Sequence, residues 1–339
     1  MDLLTQGLLG ATLAQSRASR AEMRIATMVG AFSGLLADAD IFIYSSNDPL
    51  LTIEYHRHFT HSIFFIPLGA LIACLLLWPL LKNRMDFRRL YLFSLLGYSM
   101  SGFIDACTSY GTYLFWPLIP ERISFNIISI IDPLFTLPLL LMMWLALRTR
   151  RAVMARWGLL FAVFYLSLGG LQHQRAENVL QEWVQSRGHS IERSVVKPSL
   201  GNLLLWRTVY QYEGMLYVNA VRVGFFTNTI YNGDSVVLFR PERDATGLAQ
   251  DSVLYRDIER FTRFSDGFVA ITPDRPDVLA DVRYALHPAS VSPLWGITLN
   301  RQEPQQHARY QVYRDFSPPV RQRFLDMLLG KVEAGMAPL

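Results

Sequence analysis

The segment His56-Arg57-His58-Phe59-Thr60-His61-Ser62 holds three of the chain's seven histidines within six residues, directly before a long apolar run. Asp38 and Asp40 close an earlier apolar stretch, Asp105 closes a later one, and Asp132 stands before Pro133 at the start of another. Imidazole and carboxylate are the ligand types of a zinc or other transition-metal site. Ionisable groups near a bilayer are costly and as a rule functional. The leading expectation is a metal site built where apolar segments end.

The elements that must position these residues are membrane helices. About half of the 339 residues are apolar, and long apolar runs fill the chain up to about residue 172. A span needs roughly 20 apolar residues. Ser62–Leu81, Leu90–Cys107, Ile127–Leu147, the shorter Trp157–Leu171, and Ile25–Tyr44 with its two terminal aspartates are the candidates. Residues 1–15 read as a weaker amphipathic helix at the interface. No cleavable signal peptide is expected, because the first basic cluster follows the first apolar stretch.

Arginine and lysine then set the orientation. Arg17, Arg20 and Arg24, then Lys82, Arg84, Arg88 and Arg89, then Arg148, Arg150, Arg151 and Arg156 form three basic clusters. All three face the cytoplasm together only if five segments cross, which places the N-terminus inside and the C-terminal part outside. Asp38, Asp40, His56, His58, His61, Asp105 and Asp132 then arrive at one outer face, although none of them entered the derivation. The net charge of +4 is mostly this topology signal and gives no reason to expect a nucleic-acid partner. Cys74 and Cys107 both fall inside spans and read as packing residues.

Taken singly, each motif also has an ordinary reading: an aspartate pair ending a helix in water, a solvated histidine loop, an aspartate ending a turn before proline. Asp38 and Asp40 at i, i+2 do not share a helical face, so one is expected to ligate and the other to orient a histidine. Thr60 reads as a helix N-cap, and Arg57 as a partner for an anion or an aspartate. Gly111 suits a tight turn, with Tyr110, Tyr113 and Trp116 forming an interfacial belt.

Beyond the apolar region, Leu171–Arg187 reads as a helix leaving the membrane and ended by Gly188. Leu203–Gln211 and Met215–Phe226 alternate as strands around the turn Glu213-Gly214. Ser235–Phe239, Phe268–Ile271, Val278–Leu286, Leu294–Leu299 and Arg309–Val312 are further strands, and Asp251–Phe264 and Pro318–Leu329 are helices. His189, His287 and His307 are dispersed and read as ordinary histidines. The expected architecture is an α-helical multi-pass membrane bundle of about five spans plus an N-terminal helix, residues 1–172. A small α+β extracytoplasmic domain follows, residues 173–339.

The blocks "LLADAD", "HRHFTHS" and "GFIDACTSYGTYLFWP", in this order, resemble the membrane-bound metal-dependent hydrolases of the YdjM/YbcI/YfhP type over roughly residues 1–135. That family shows an aspartate pair closing a helix, a His-Arg-Gly-x-Thr-His-Ser motif, and an Asp followed by Thr-x-x-Gly and a proline. The resemblance implies a multi-pass bacterial inner-membrane protein, with Asp38, His56, His61 and Asp105 as metal-site residues and Asp40 as an accessory. Three positions depart from the pattern. Gln6 and Ser101 stand where family members carry histidines, and His58 replaces the motif glycine. One metal is therefore expected rather than two.

The expected function is a metal-dependent hydrolase with its site at the outer membrane face. It would use zinc, or manganese, and act on a lipid-linked or amphiphilic ester or phosphoester. Asp40 or His58 would serve as general base. The alternative is a degenerate, non-catalytic membrane protein whose outer domain binds a cell-envelope partner. A transporter fits less well, since the acidic groups gather at one face and not at mid-membrane.

Overall fold

Small residues decide how the first helices pack. The structure, a computed structural model, describes residues 1–331. In α1 (Leu3–Gln15), α2 (Met23–Leu36) and α5 (Phe87–Cys107), Gly10, Gly30 and Gly97 bring the backbones together. A Cβ on Gly10 or on Gly97 would lie 2.4 Å from the Gly30 carbonyl oxygen, so no side chain fits there. Such close approach is how helices associate where lipid removes the hydrophobic drive. Hydrogen bonds between helices add to it: Ser101 Oγ donates to the Gly34 carbonyl at 2.7 Å, and Gln15 Nε2 donates to Thr27 Oγ1 at 2.8 Å.

This packing corrects the expectation for residues 1–15. Far from lying at an interface, α1 is buried on nearly every face, including the polar Thr5, Gln6, Thr12 and Gln15. Glycine and alanine at positions 7, 10, 11 and 14 make the helix thin enough to enter the bundle.

After α2 the chain makes a 3-10 turn over Ala37–Phe42. A short α3 (Leu51–Tyr55), a second 3-10 turn (Phe59–His61) and α4 (Ile66–Leu81) follow, then α5, α6 (Pro133–Thr149) and α7 (Ala152–Ser186). Among the described residues, three helical stretches are long and apolar enough to cross a membrane: Met23–Phe42, Phe87–Cys107 and Ala152–Ser186. Leu51–His61 with Ile66–Leu81, bent by 91°, makes a fourth if the pair is one span. The five expected spans are thus not all present as full-length helices. The differences lie in α4, whose 16 residues qualify only together with the bent segment before it, and in α6, whose 17 residues extend about 25 Å, short of a hydrocarbon core of roughly 30 Å. Residues 127–131 do not join it, because Ile127 N and Ile128 N donate to the Cys107 carbonyl in an extended path that stops at the Asp132 cap.

The helix expected to leave the membrane at Leu171 is not separate. It continues α7 without a break to Ser186, and Gly188, at φ +69°, follows its end. The remaining elements are β1 (Arg193–Pro198), β2 (Leu205–Tyr212), β3 (Met215–Val223), β4 (Asn228–Val237), α8 (Pro241–Asp244), α9 (Val253–Phe264), β5 (Val269–Thr272), β6 (Arg275–Asp281), β7 (Trp295–Thr298), β8 (Arg309–Val312) and α10 (Pro318–Leu328). They build two antiparallel sheets, β1-β2-β3-β4 and β5-β6-β7-β8. Glu213 and Gly214, at φ +48° and +73°, make the expected tight β2–β3 turn. Strand β4 begins at Asn228, well before the expected Ser235, because it pairs along most of β3 despite a register shift near Tyr217.

The chain divides into two compact units. One comprises Met1–Ile43, Tyr55–Leu171 and Leu200–Asn202; the other comprises Tyr44–Glu54, Gln172–Ser199 and the chain from Leu203 on. In the second unit Trp206, Tyr210 and Val221 pack on Ala176, Val179, Leu180 and Val184 of α7. A second core joins Leu50 and Ile53 to Leu254, Ile258 and Phe261 of α9 and to Leu279 and Ile297 of the β5–β8 sheet. Full burial of each large apolar side chain contributes about 1.5–3 kcal/mol.

Candidate metal centre

The turn after α2 carries Asp38 and Asp40, and both side chains are buried. A 3-10 turn advances differently from an α-helix, and the two carboxylates reach opposite edges of one ring. Asp38 Oδ1 lies 3.2 Å from His61 Nε2, and Asp40 Oδ2 lies 3.3 Å from His61 Nδ1. Asp105, on the last turn of α5, approaches the same imidazole, its Oδ2 3.1 Å from Nε2. His61 is held from behind by packing: a Cβ on Gly102 would lie 2.1 Å from the His61 carbonyl oxygen.

Asp40 organises the histidine loop. Its Oδ1 lies 2.9 Å from His56 Nδ1. Its Oδ2 accepts the Arg57 backbone N–H at 2.8 Å and the Thr60 hydroxyl at 2.6 Å. Arg57 adopts φ +59°, a left-handed conformation that an arginine holds only when its surroundings impose it. Here its N–H is fixed by Asp40, while its carbonyl accepts Thr112 Oγ1 at 2.9 Å and Tyr113 N at 3.2 Å. Tyr98 completes the support by donating its hydroxyl to the Thr60 carbonyl at 2.9 Å.

Two ligand groups result, sharing Asp38: Asp38, His61 and Asp105, all buried, and Asp38, Asp40 and His56. In each, the donor atoms lie within 4.8 Å of one another. Asp38 Oδ1, Asp105 Oδ2 and His61 Nε2 are all buried, and their mutual contacts are charge pairs outside hydrogen-bond geometry. Buried polar atoms rarely stay unsatisfied, and three such donor atoms on one spot make this a candidate cation site. The spacing fits one. Tetrahedral ligand atoms around a zinc with bonds of about 2.0–2.1 Å stand roughly 3.3 Å apart. The separations of 3.1 and 3.2 Å here are close to that edge.

Positive charge already stands beside these carboxylates. Arg57 Nε lies 3.1 Å from Asp105 Oδ2, and the Met1 amino group contacts Asp105 Oδ1. Arg57 Nη2 donates to the Met1 carbonyl at 3.0 Å, while its buried Nη1 makes no hydrogen bond.

The structure brings Asp38, Asp40, His56, His61 and Asp105 together; His58 belongs to neither group. Its ring sits among Tyr113, Tyr55 and Trp116, with centroids 4.4, 5.5 and 5.6 Å away. Asp132 is used structurally: Oδ1 caps α6 at Leu134 N and Phe135 N, and Oδ2 accepts the Tyr165 hydroxyl at 2.9 Å. Thr60 is not the N-cap expected of it, since α4 starts only at Ile66 and Thr60 lies inside the 3-10 turn. Its role in binding Asp40, and that of Tyr98, had no signal in spacing alone. Gly111 makes its turn at φ +70°, and Cys74 and Cys107 are free and buried.

A third group lies in the second unit, where Asp48, Asp257 and the supposedly ordinary His307 converge. Arg260 occupies its centre, bonded to Asp48 at 2.9 Å, Glu54 at 2.7 Å and Asp257 at 2.9 Å. Burial pushes the Asp48 carboxyl up, but the Arg260 guanidinium outweighs it and holds the group below its ordinary range. These carboxylates have their cation, and the cluster fastens residues 44–54 to α9.

Comparison with known proteins bears on this arrangement. A family model described as YdjM inner membrane protein matches residues 1–176, which contain every member of the two site groups. Bacillus subtilis (strain 168) has a similar protein, "Uncharacterized protein YfhP", 26% identical over 221 residues. The match covers 61% of this chain and 62% of that relative, so the chain spans less than two thirds of its length. No solved structure matches the chain.

Proposed function

This chain belongs to the YdjM inner membrane protein family, and from that premise we propose that it is a metal-dependent hydrolase of the inner membrane. The observation that carries the reading is the convergence of Asp38 Oδ1, Asp105 Oδ2 and His61 Nε2, three buried donor atoms within 4.8 Å of one another. His56, 2.9 Å from Asp40 through Nδ1, belongs to the second group sharing Asp38 and would add a further ligand through Nε2. The donor set of two imidazoles and two carboxylates suits zinc, with manganese as the second choice. A divalent ion held there would act as a Lewis acid on water and on an ester or phosphoryl oxygen.

The chain's own residues have separable roles in this proposal. Asp40 is a positioning residue, since both of its oxygens are engaged in orienting His56, Arg57, Thr60 and His61. Arg57, with Nη1 unbonded, would hold an anionic substrate group. His58, the other base expected from the sequence, would act from its aromatic surround. The basic clusters favour a cytoplasmic N-terminus and an outward C-terminal domain, with the centre at headgroup level and an amphiphilic, lipid-linked substrate.

One observation favours a second reading. Arg57 Nε stands beside Asp105 Oδ2 and supplies charge that an ion would otherwise provide. On that reading the protein is a non-catalytic family member whose outer domain binds an envelope partner.

Metal analysis of the purified full-length chain separates the two. Stoichiometric zinc or manganese, lost in His61→Ala and Asp105→Ala but retained in His307→Ala, is expected for the enzyme. Metal-free protein whose thermal stability ignores chelators would overturn it.

A further inference from the structure

The β3–β4 hairpin ends in Phe225 and Phe226, exposed by 88% and 100%. Two adjacent aromatic side chains in water at a loop tip are an unusual cost unless something covers them. The last strand pair is Val223 with Asn228, Gly224 N donates to the Thr227 carbonyl at 3.1 Å, and a Cβ on Gly224 would lie 2.5 Å from that carbonyl. The loop is closed tightly, with both phenylalanines turned outward.

What covers them follows from where the hairpin is tied. Gln172 Nε2 donates to the Val223 carbonyl at 3.3 Å and to the Leu203 carbonyl at 3.1 Å. Arg175 Nη2 donates to the Gly224 carbonyl at 2.7 Å, and its Nη1 donates to Gln172 Oε1 at 2.7 Å. Gln172 is the first residue of α7 beyond the uncharged run Trp157–Leu171, which belongs to a helix apolar and long enough to cross a membrane. Leu171 itself is 66% exposed, as a lipid-facing residue would be. The hairpin is therefore clamped within one helical turn, roughly 5 Å, of the level at which α7 changes from apolar to polar. Side chains at that level reach the headgroup and acyl boundary, where aromatic residues anchor proteins.

We propose that Phe225 and Phe226 form a membrane anchor, inserted into the lipid leaflet from which α7 emerges. The hairpin thereby fixes the first sheet of the outer domain against the bilayer, and Arg175, at the same level, faces the phosphate layer.

The test uses the full chain reconstituted in phosphatidylethanolamine/phosphatidylglycerol vesicles. Phe226→Cys and, separately, Phe225→Cys carry a nitroxide label, and Glu213→Cys on the β2–β3 turn at the other end of β3 serves as the aqueous reference. Cys74 and Cys107 are buried, and unlabelled wild type checks that they stay so. Collision with oxygen and with a water-soluble nickel chelate is read by power saturation. A loss of nickel accessibility at 225 and 226 relative to 213, with oxygen accessibility retained, is the expected result. Nickel accessibility equal to that at 213 would overturn the proposal, because the tip would then sit in water. Shielding from both reagents would also overturn it, in favour of a protein partner or a second copy.

Discussion

Asp40→Asn probes the centre without removing a proposed ligand. Asp40 Oδ1 faces His56 Nδ1 at 2.9 Å, while Oδ2 faces Arg57 N, Thr60 Oγ1 and His61 Nδ1 at 2.8, 2.6 and 3.3 Å. Asparagine keeps one acceptor and gains a donor. If its oxygen stays with Arg57 and Thr60, its amide points at His56 Nδ1, which must then accept. The proton moves to Nε2, and that atom loses the lone pair a metal needs. If the amide turns the other way, the Arg57 N–H and the Thr60 hydroxyl lose their acceptor. Either arrangement also removes the negative charge that makes His61 a better donor. Outer-shell changes of this kind lower metal affinity by about 10–100-fold, or about 1.4–2.8 kcal/mol. Competition against a chromophoric chelator, on full-length protein in detergent, measures it, with His61→Ala as the variant that abolishes binding. An Asp40→Asn affinity indistinguishable from wild type, with His61→Ala still defective, would refute the positioning role.

Other outcomes follow from the same contacts. Gly30→Ala forces a methyl to 2.4 Å from the Gly10 carbonyl and 2.7 Å from Ala14 Cβ, with backbone on one side, so a loss of about 1–3 kcal/mol is expected in thermal unfolding. Wild-type stability in Gly30→Ala would mean that α1 and α2 pack more loosely than described. His58→Ala removes a ring from its aromatic surround and not from either ligand group, so metal stoichiometry should be unchanged while any hydrolytic rate falls. Loss of metal in that variant would place His58 among the ligands. Arg89 Nε and Nη2 donate to Glu22 at 2.6 and 2.9 Å, which, with smaller contributions from Ser19, lowers its carboxyl from 4.5 to about 2. A depressed carboxyl stabilises the fold above its ordinary pKa and ceases to do so as pH falls from 4.5 towards 2. A small acid-induced loss of stability should appear in that window and flatten in Glu22→Gln, small because the pair is only partly buried and solvent screens it.

Much of the site was legible because its chemistry is written in residue types. Three histidines crowded before an apolar run, and aspartates at the ends of others, have few purposes in a membrane segment, and the structure places Asp38, Asp40, His56, His61 and Asp105 in two neighbouring candidate groups. The α+β character of the second half was legible too, since alternation and turn residues such as Glu213-Gly214 are local signals. The spans were less so. Hydropathy sees Ile127–Leu147 as one run, but the backbone of residues 127–128 bonds to Cys107, a partner twenty residues away that no window contains. Burial of α1 was missed for a similar reason, because a helix enclosed by others needs smallness at a few positions and not an apolar stripe.

Sequence alone determined the inventory: which candidate ligating groups exist, that they stand where apolar stretches end, and that a strand-rich region follows them. Tertiary structure decided the assignment. Only the 3-10 turn after α2 lets Asp38 and Asp40 address the two nitrogens of one imidazole, and only the meeting of α2 with α5 brings Asp105, more than sixty residues on from that turn, to the same ring. The same is true of Phe225 and Phe226, which read as an ordinary strand end until Gln172 and Arg175 tie them to the level at which α7 turns polar. The physical reason is common to these cases. A side chain's chemistry is local, but its partners are chosen by backbone hydrogen bonds and packing between segments remote in sequence.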